Sequence, residues 1–328
     1  MTECLQSIVD FHYCYYLLRS DQITDYLTGQ NTNTSGSHKR IDPENFFDIE
    51  VFLPPLDEQK RIGEVLSNLD KKIDVNTEIN HYLEAMVKQL YDYWFVQFDF
   101  PDENSNPYKS SGGKMVWNEK LKREIPAGWT NIALRDYAEI YNGATPSTEI
   151  PANYGGDIIW ITPKDLSDQQ SKFTYYGHRN ITSVGYNSCS TRLLPAKTIL
   201  LSSRAPIGLI SIAMVELCTN QGFKSLVCSD LQQYAYLYYY VKYHIKQIEQ
   251  LGTGTTFKEV SRDDLCSFPI LKVQSVELMH KWFEQTEPIL MRQYELTKEI
   301  IFLSKQRDEL LPLLMTGQAS VTQLNNDL

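Results

Sequence analysis

Apolar residues recur in an alternating three-and-four spacing at two places along this chain. Ile62, Leu66, Leu69, Ile73, Asn76, Asn80, Leu83, Val87, Leu90 and Trp94 form the first series, which is the seam pattern of a coiled coil. No proline falls between Leu56 and Trp94, so the spacing predicts one unbroken helix on the order of 55 Å long. Trp282, Ile289, Leu296, Ile300, Leu303, Leu310 and Leu314 repeat the pattern between Val276 and Leu314. Pro288 lies inside that second series and predicts a kink or a restart there. Asn76 and Asn80 in one series, with Gln293 and Arg307 in the other, are polar seam positions suited to fixing register between two such helices. One narrow stripe is less than a helix needs to cover a domain core, which favours helix-on-helix pairing.

Elsewhere the pattern changes period. Ile158–Thr162, Thr198–Ser202 and Leu209–Val215 are short, apolar and β-branched, and Gly143, Gly155, Gly156, Pro163, Pro195 and Gly208 separate them. They predict a mixed, mostly β domain that ends in a Tyr-rich helix over Leu231–Leu251. Phe98–Glu124 is punctuated by Pro101, Pro107, Gly112 and Gly113 and reads as a linker. Residues 1–52 read as a helix around Tyr13–Leu27, a polar loop over Thr28–His38 and a short extended segment, with too few strands to close a core.

The chain also echoes itself. Phe11-His12-Tyr13-Cys14-Tyr15-Tyr16 answers Tyr234-Ala235-Tyr236-Leu237-Tyr238-Tyr239, and Leu53-Pro54-Pro55-Leu56 with Gln59 answers Phe268-Pro269-Ile270-Leu271 with Gln274. A long heptad helix follows each. The expected layout is therefore α+β. It comprises a C-terminal remnant of a first domain (1–55), a first long helix (56–97) and a linker (98–124). A complete second domain (125–273), a second long helix (274–316) and a tail (317–328) follow.

Charge changes the picture only locally. The net charge of −10 disfavours a general nucleic-acid binder. Between Pro126 and Val260, however, 11 Lys and Arg face 10 Asp and Glu, so the central domain carries +1 and the rest −11. The six cysteines are scattered without a Cys-x-x-Cys pair and are expected to be reduced thiols. No signal peptide and no membrane span is indicated, so a cytoplasmic protein is expected. A phosphate-binding Gly-rich loop, a dinucleotide fingerprint, a metal-ligand spacing and a nucleophile–His grouping are all missing from the sequence pattern. Gly252-Thr253-Gly254 reads as a plain loop.

Several short motifs occur in a fixed order. They are Ile125-Pro126-Ala127-Gly128-Trp129 with Leu134, Gly143-Ala144-Thr145-Pro146-Ser147, and Ile158-Ile159-Trp160-Ile161-Thr162-Pro163-Lys164-Asp165-Leu166. Leu194-Pro195-Ala196-Lys197-Thr198-Ile199-Leu200, Arg204-Ala205-Pro206-Ile207-Gly208 and Thr219-Asn220-Gln221-Gly222-Phe223 follow. Leu53-Pro54-Pro55-Leu56-Asp57-Glu58-Gln59-Lys60-Arg61-Ile62 leads into the first helix. Together they resemble the specificity (S) subunits of type I restriction-modification systems, over most of the chain. The match is to a partial or half-type subunit with one complete target-recognition domain.

The resemblance implies a non-catalytic subunit that reads double-stranded DNA at a bipartite target. It implies methyltransferase (M) and restriction (R) subunits as partners, possible pairing with a second S chain, and S-adenosylmethionine bound by the methyltransferase and not by this chain. Antiparallel spacer helices would pack through Ile62, Leu66, Leu69, Ile73, Leu83 and Leu90 against Ile289, Leu296, Ile300, Leu303 and Leu310. Because phosphate contacts position a protein and base-edge contacts specify sequence, the candidate DNA-binding residues are Lys164, Lys172, Tyr175, Tyr176, Arg179, Asn180, Arg204, Thr253, Thr255 and Lys258. The competing reading is a coiled-coil scaffold or protein-interaction module without sequence-specific DNA binding.

Overall fold

The computed structural model describes residues 8–29, 49–254 and 258–321. In chain order the helices are α1 (Phe11–Arg19), α2 (Asp21–Gly29), α3 (Leu56–Tyr91), α4 (Pro163–Gln169), α5 (Ser183–Asn187), α6 (Tyr234–Tyr243), α7 (Ile245–Gln250), α8 (Arg262–Ser267) and α9 (Val276–Met315). The strands are β1 (Met115–Asn118), β2 (Arg123–Pro126), β3 (Thr130–Ala133), β4 (Ala138–Asn142), β5 (Tyr154–Ile158) and β6 (Trp160–Ile161). After them come β7 (Phe173–Thr174), β8 (Ile199–Ser202), β9 (Ile210–Ala213), β10 (Cys218–Thr219), β11 (Phe223–Cys228) and β12 (Pro269–Lys272). This is the expected α+β class. The chain divides into two compact units, Met1–His81 with Glu295–Leu328, and Tyr82–Tyr294. No helix among the described residues is long and apolar enough to cross a membrane.

In the first unit, α1 lies against the long helices and α2 packs on α1. One helix was expected over Tyr13–Leu27; two form, because Ser20 turns out of helical geometry and its hydroxyl donates to Leu17 O at 2.7 Å. The expected loop Thr28–His38 lies beyond the described residues from position 30 onward. Asp10 caps α1 by accepting from Tyr13 N. Tyr13, Tyr16 and Leu17 then bury against Ile62, Leu66, Leu314 and Met315. The approach is close: a Cβ on Gly63 would stand 2.9 Å from both His12 Cβ and Tyr13 N. Gln59, 1% exposed, ties the entry together by accepting from Asp10 N and donating to the carbonyls of Ile8 and Pro54.

The helix pairing in this unit is antiparallel, with Asp70 bonded to Arg307 and Asn80 to Thr297. Ile62, Leu66 and Leu296 are buried and Leu69, Ile73, Ile300, Leu303 and Leu310 half-buried, so the predicted seam is the packed one. Arg307, expected in the seam, contributes its charge: its guanidinium donates to Asp70 at 2.8 Å. Asn76 is 1% exposed, and its Nδ2 finds no hydrogen-bond partner.

The second unit holds the β body. A five-stranded sheet runs β4-β11-β8-β9-β7, antiparallel except for the β7–β9 pair. Its central strand, Ile199–Ser202, is buried along its whole length, as an interior strand covered on both faces must be. The helix α6 packs over β8 and β9. Every residue from Tyr234 to Val241 is buried, which explains a helix with no polar face.

The long helices enter this unit through Val87, Tyr91, Trp94, Phe95, Trp282 and Leu290, all in its core. The tail of the first helix widens to a π-helical turn over Asp92–Val96, which lets both Trp94 and Phe95 face inward. Leu83, Leu90 and Ile289 are half-buried seam positions here. Helix α9 passes Pro288 without a restart. The hydrogen bond that proline removes is outweighed by buried Trp282, Thr286, Leu290 and Gln293 around it.

Residues 98–124 are not an open tether. Phe98 and Phe100 are buried, and Phe100 stacks on Trp129 with ring centres 5.1 Å apart. Strands β1 and β2 form an antiparallel hairpin, and Arg123 donates to Val96 O at 2.6 Å. The Pro and Gly residues that read as linker, Pro101, Pro107, Gly112 and Gly113, fall in the turns before that hairpin.

Candidate nucleic-acid interface

The segment from Tyr175 to Asn180 is held by buried Asp165. Its Oδ2 accepts from Thr162 N at 2.7 Å within a capping box at the start of α4, and its Oδ1 accepts from His178 N at 2.8 Å. Gln169 Nε2 donates to Tyr176 O, and Gly155 N donates to Asn180 O. Arg179 leaves this pinned loop exposed, with its guanidinium carbon 3.4 Å from the Tyr154 ring centre. The Tyr154 hydroxyl in turn donates to Pro146 O at 2.7 Å. Stacking of this kind holds an arginine fork flat and aimed while its donors stay available.

The loop after β4 carries the surface onward. Trp160 Nε1 donates to Ala144 O and Ala144 N to Thr219 O, and the Thr145 hydroxyl donates to Gln221 Oε1. No side chain fits at Gly143, where a Cβ would lie 2.0 Å from Asn220 O. Next to Gln221, Gly222 packs against Pro163, the residue before exposed Lys164. Gly222 O also accepts from Ser203 N, beside Arg204.

Arg204 Nε pairs with Glu259 Oε2 at 2.9 Å, and buried Lys224 reaches the same carboxylate at 3.2 Å. Partial burial works to raise the Glu259 carboxyl, but hydrogen bonds from Arg204 and Lys224 overcome it and hold it below the ordinary range. Thr253 and Glu259 exchange both backbone hydrogen bonds, which closes the Gly252–Thr253 loop over exposed Lys258. Thr255 lies outside the described residues. The structure thus joins Lys164, Arg179, Asn180, Arg204, Thr253 and Lys258 through one chain of contacts across five loops. Such a surface offers phosphate-binding cations and an Arg fork suited to a base edge.

Two of the sequence candidates belong elsewhere. Lys172 turns away from solvent and bonds Glu84, Tyr239 at 2.9 Å and Gln293 at 2.8 Å. Its aliphatic stem follows the aromatic core, and the ammonium ends among the long helices' polar seam residues. Burial pushes this ammonium down to about 8 against the pull of Glu84. Tyr175 packs edge-on to Tyr294 of α9 at 5.5 Å, and burial raises its hydroxyl to about 12. Both residues seat the β body on its helices; Tyr176 beside them is exposed. A parallel seat lies at Lys197, whose ammonium is 3.1 Å from Glu287 and 4.7 Å from the Tyr234 ring centre.

Lys224 and Arg192 join the surface without having been sequence candidates. Lys224 sits in the run Phe223-Lys224-Ser225-Leu226, where a lone cation in a buried strand is itself the signal. Arg192 is exposed and stacks on Tyr141 at 4.8 Å, with no local pattern to mark it. Among the described residues no group of His, Cys, Asp and Glu is arranged to hold a metal ion.

The chain is similar to known specificity subunits of type I restriction enzymes. The chain is 39% identical over 158 residues to the MjaIX type I restriction enzyme specificity subunit of Methanocaldococcus jannaschii, covering 46% of this chain and 37% of that one. It is 26% identical to the HindI specificity subunit of Haemophilus influenzae over 95% of this chain and 78% of the relative. The chain therefore spans well under half of the first of these relatives and about four-fifths of the second. The crystal structure of a type I restriction-modification S subunit from M. genitalium shares the fold at a TM-score of 0.61 and 17% identity, covering 94% of this chain and 73% of that one. A family model, the type I restriction modification DNA specificity domain, matches residues 3–85 and 126–272. This chain belongs to the type I restriction-modification DNA specificity family.

Proposed function

We propose that this chain is the sequence-specific DNA recognition subunit of a type I restriction-modification complex, directing methyltransferase and restriction subunits to a bipartite target. The observation that carries the reading is the convergence of Arg179, Lys164 and Arg204, far apart in sequence, on one run of pinned loops. Arg179 and Arg204 read base edges from the major groove, while Lys164 and Lys258 hold phosphates. The chain itself performs no chemistry. Its methyltransferase partner binds S-adenosylmethionine and transfers the methyl group, and the restriction subunit joins through the complex.

In this reading the paired α3 and α9 helices set the gap between half-sites. The described residues hold one recognition body, and a bipartite target requires a second.

Methylome sequencing of a host with and without this chain, beside its methyltransferase partner, tests the proposal. A bipartite motif methylated only when the chain is present is expected, and its loss in Arg179→Ala with Arg204→Ala. A methylome indifferent to the chain overturns it. Inserting one helical turn between Asn76 and Leu83 is expected to lengthen the gap in the motif and leave the half-site bases unchanged.

A further inference from the structure

The β1–β2 turn, the π-helical turn, α6 and β12 enclose a cavity of about 360 Å³ in the second unit. That volume is at the small end of ligand sites, which run from about 300 to 1,000 Å³. Its inner wall is aromatic. Tyr236 and Tyr240 are buried there, and their hydroxyls donate to Leu271 O at 2.5 Å and to Pro269 O at 3.1 Å. Tyr240 stacks on His244 at 4.2 Å, and Tyr243, 54% exposed, meets the same imidazole edge-on at 5.1 Å. The lining shares no residue with the loops that carry Arg179, Arg204 and Lys258.

Four polar groups in this lining lack a counterpart among the described residues. Tyr91 is 3% exposed, and its hydroxyl makes no hydrogen bond there. Burial holds that hydroxyl well above its ordinary range, so it stays a donor. Arg123 donates one N–H to Val96 O and lies 4.4 Å from the Phe98 ring centre, but no described carboxylate pairs with it. Lys120 likewise has no described ion-pair partner; its backbone N–H donates to Asn118 Oδ1, which fixes the turn that presents it. His244 Nδ1 lies 2.9 Å from Tyr240 O. A carbonyl only accepts, so the ring proton sits on Nδ1 and Nε2 is left as an acceptor. Burial pushes the imidazole below its ordinary value, which keeps it neutral at pH 7. Among the described residues no Asp or Glu lines the cavity. A half-buried guanidinium and a buried hydroxyl in this state are costly until something pairs with them.

The geometry points to a binding site for a nucleoside monophosphate, its phosphate on Arg123 and Lys120 and its base against the Tyr243 and His244 rings. Charge selects an anion, because two cations line the cavity with no acid to offset them. The rings select a planar group. His244 Nε2 accepts and the Tyr91 hydroxyl donates, which suits a base carrying both an amino group and a ring acceptor. The volume admits one ring system with a single anionic group and no long chain of phosphates. The site stands apart from the DNA-recognition reading, since it uses none of the residues on which that reading rests.

The test is isothermal titration of the full chain with adenosine monophosphate and with guanosine monophosphate. Saturable one-to-one binding of at least one of them is expected. Tyr91→Phe is expected to weaken it about fivefold without lowering the denaturation midpoint, because the lost hydroxyl has no partner in the folded chain. Lys120→Ala changes one exposed side chain and is expected to weaken the nucleotide about tenfold while leaving affinity for the unphosphorylated nucleoside as in the wild type. No binding of either nucleotide at millimolar concentration overturns the proposal, as does unchanged nucleotide affinity in either variant. Inorganic phosphate that binds as tightly as the nucleotides reduces the site to a plain anion site and overturns it. Benzoate that binds more tightly overturns it in favour of an aromatic acid, and displacement of bound nucleotide by duplex DNA overturns it in favour of strand binding.

Discussion

Lys172 reaches from the β body to Glu84 on the first long helix, and the two charges are buried together beneath Tyr239. Lys242 supplies a second cation to the same carboxylate at 2.8 Å. Burial works to raise the Glu84 carboxyl, but these two ammonium groups outweigh it and hold it down, at about 2. A carboxylate lowered in the folded state stabilises fully above its unfolded value, and that stability fades as pH falls through the folded one. Stability on the order of 3 kcal/mol is therefore expected to be lost between about pH 4.5 and 2. Urea unfolding across that range is expected to show a shallower acid dependence in Glu84→Gln than in the wild type.

Removing one partner is expected to cost more than removing both. Glu84→Leu leaves the Lys172 ammonium, 11% exposed, without its main counter-charge, and a loss of about 3–5 kcal/mol is expected. Adding Lys172→Met to that variant restores much of the loss, because apolar groups of similar size tolerate the site. Urea midpoints of the two single variants and the double variant complete the cycle.

DNA affinity separates reading residues from seating residues. Lys164→Ala is expected to weaken duplex binding and to flatten its dependence on salt by about 0.9 for the phosphate left without its cation. Arg179→Ala, in contrast, is expected to cost about 1–3 kcal/mol and to relax the preference for the target sequence. Lys172→Met is expected to leave the salt slope unchanged, since that ammonium faces Glu84 and not solvent. Titration of a fluorescent target duplex between low and physiological salt distinguishes the three.

Asn76→Leu is expected to stabilise the first unit. Its Nδ2 is buried without a partner, and an unmatched polar group in a seam costs about 1–3 kcal/mol. The denaturation midpoint should rise. The same change removes a polar seam residue that disfavours shifted helix registers, so cysteine cross-linking between positions 70 and 307 should become less selective.

Gly63→Val is expected to dislodge α1. Its Cβ would crowd His12 and Tyr13 N at 2.9 Å, and overpacking of this kind costs about 1–3 kcal/mol. Hydrogen exchange should quicken across Phe11–Gly29 and stay slow across Tyr234–Tyr243.

The seam was legible because side-chain period is a local property. Ile62, Leu66 and Leu296 needed only their spacing to be placed, and buried Asn76 and Gln293 stood out as polar residues in an apolar register. The fate of Lys172 was not legible. Its partners lie 88, 67 and 121 positions away, and nothing in Ser171-Lys172-Phe173 distinguishes an inward lysine from an outward one. The hairpin over Met115–Pro126 was missed because exposed Val116 and Trp117 break the usual alternation of a half-buried strand. The union of Arg179, Lys164 and Arg204 depends on strand order, which brings the loop after β8 beside the turn before β11. Spacing along the chain carries no trace of that.

Among the described residues, the ion pairs Lys172–Glu84 and Lys197–Glu287 share no hydrogen-bond or charge partner with Arg179, Arg204 or Gly252 and Thr253. What seats the β body is thus written in different letters from the loops proposed to read the target. If the exposed loops read the target as proposed, substitutions in them change the target word and leave untouched the buried ion pairs that hold the β body on its helices.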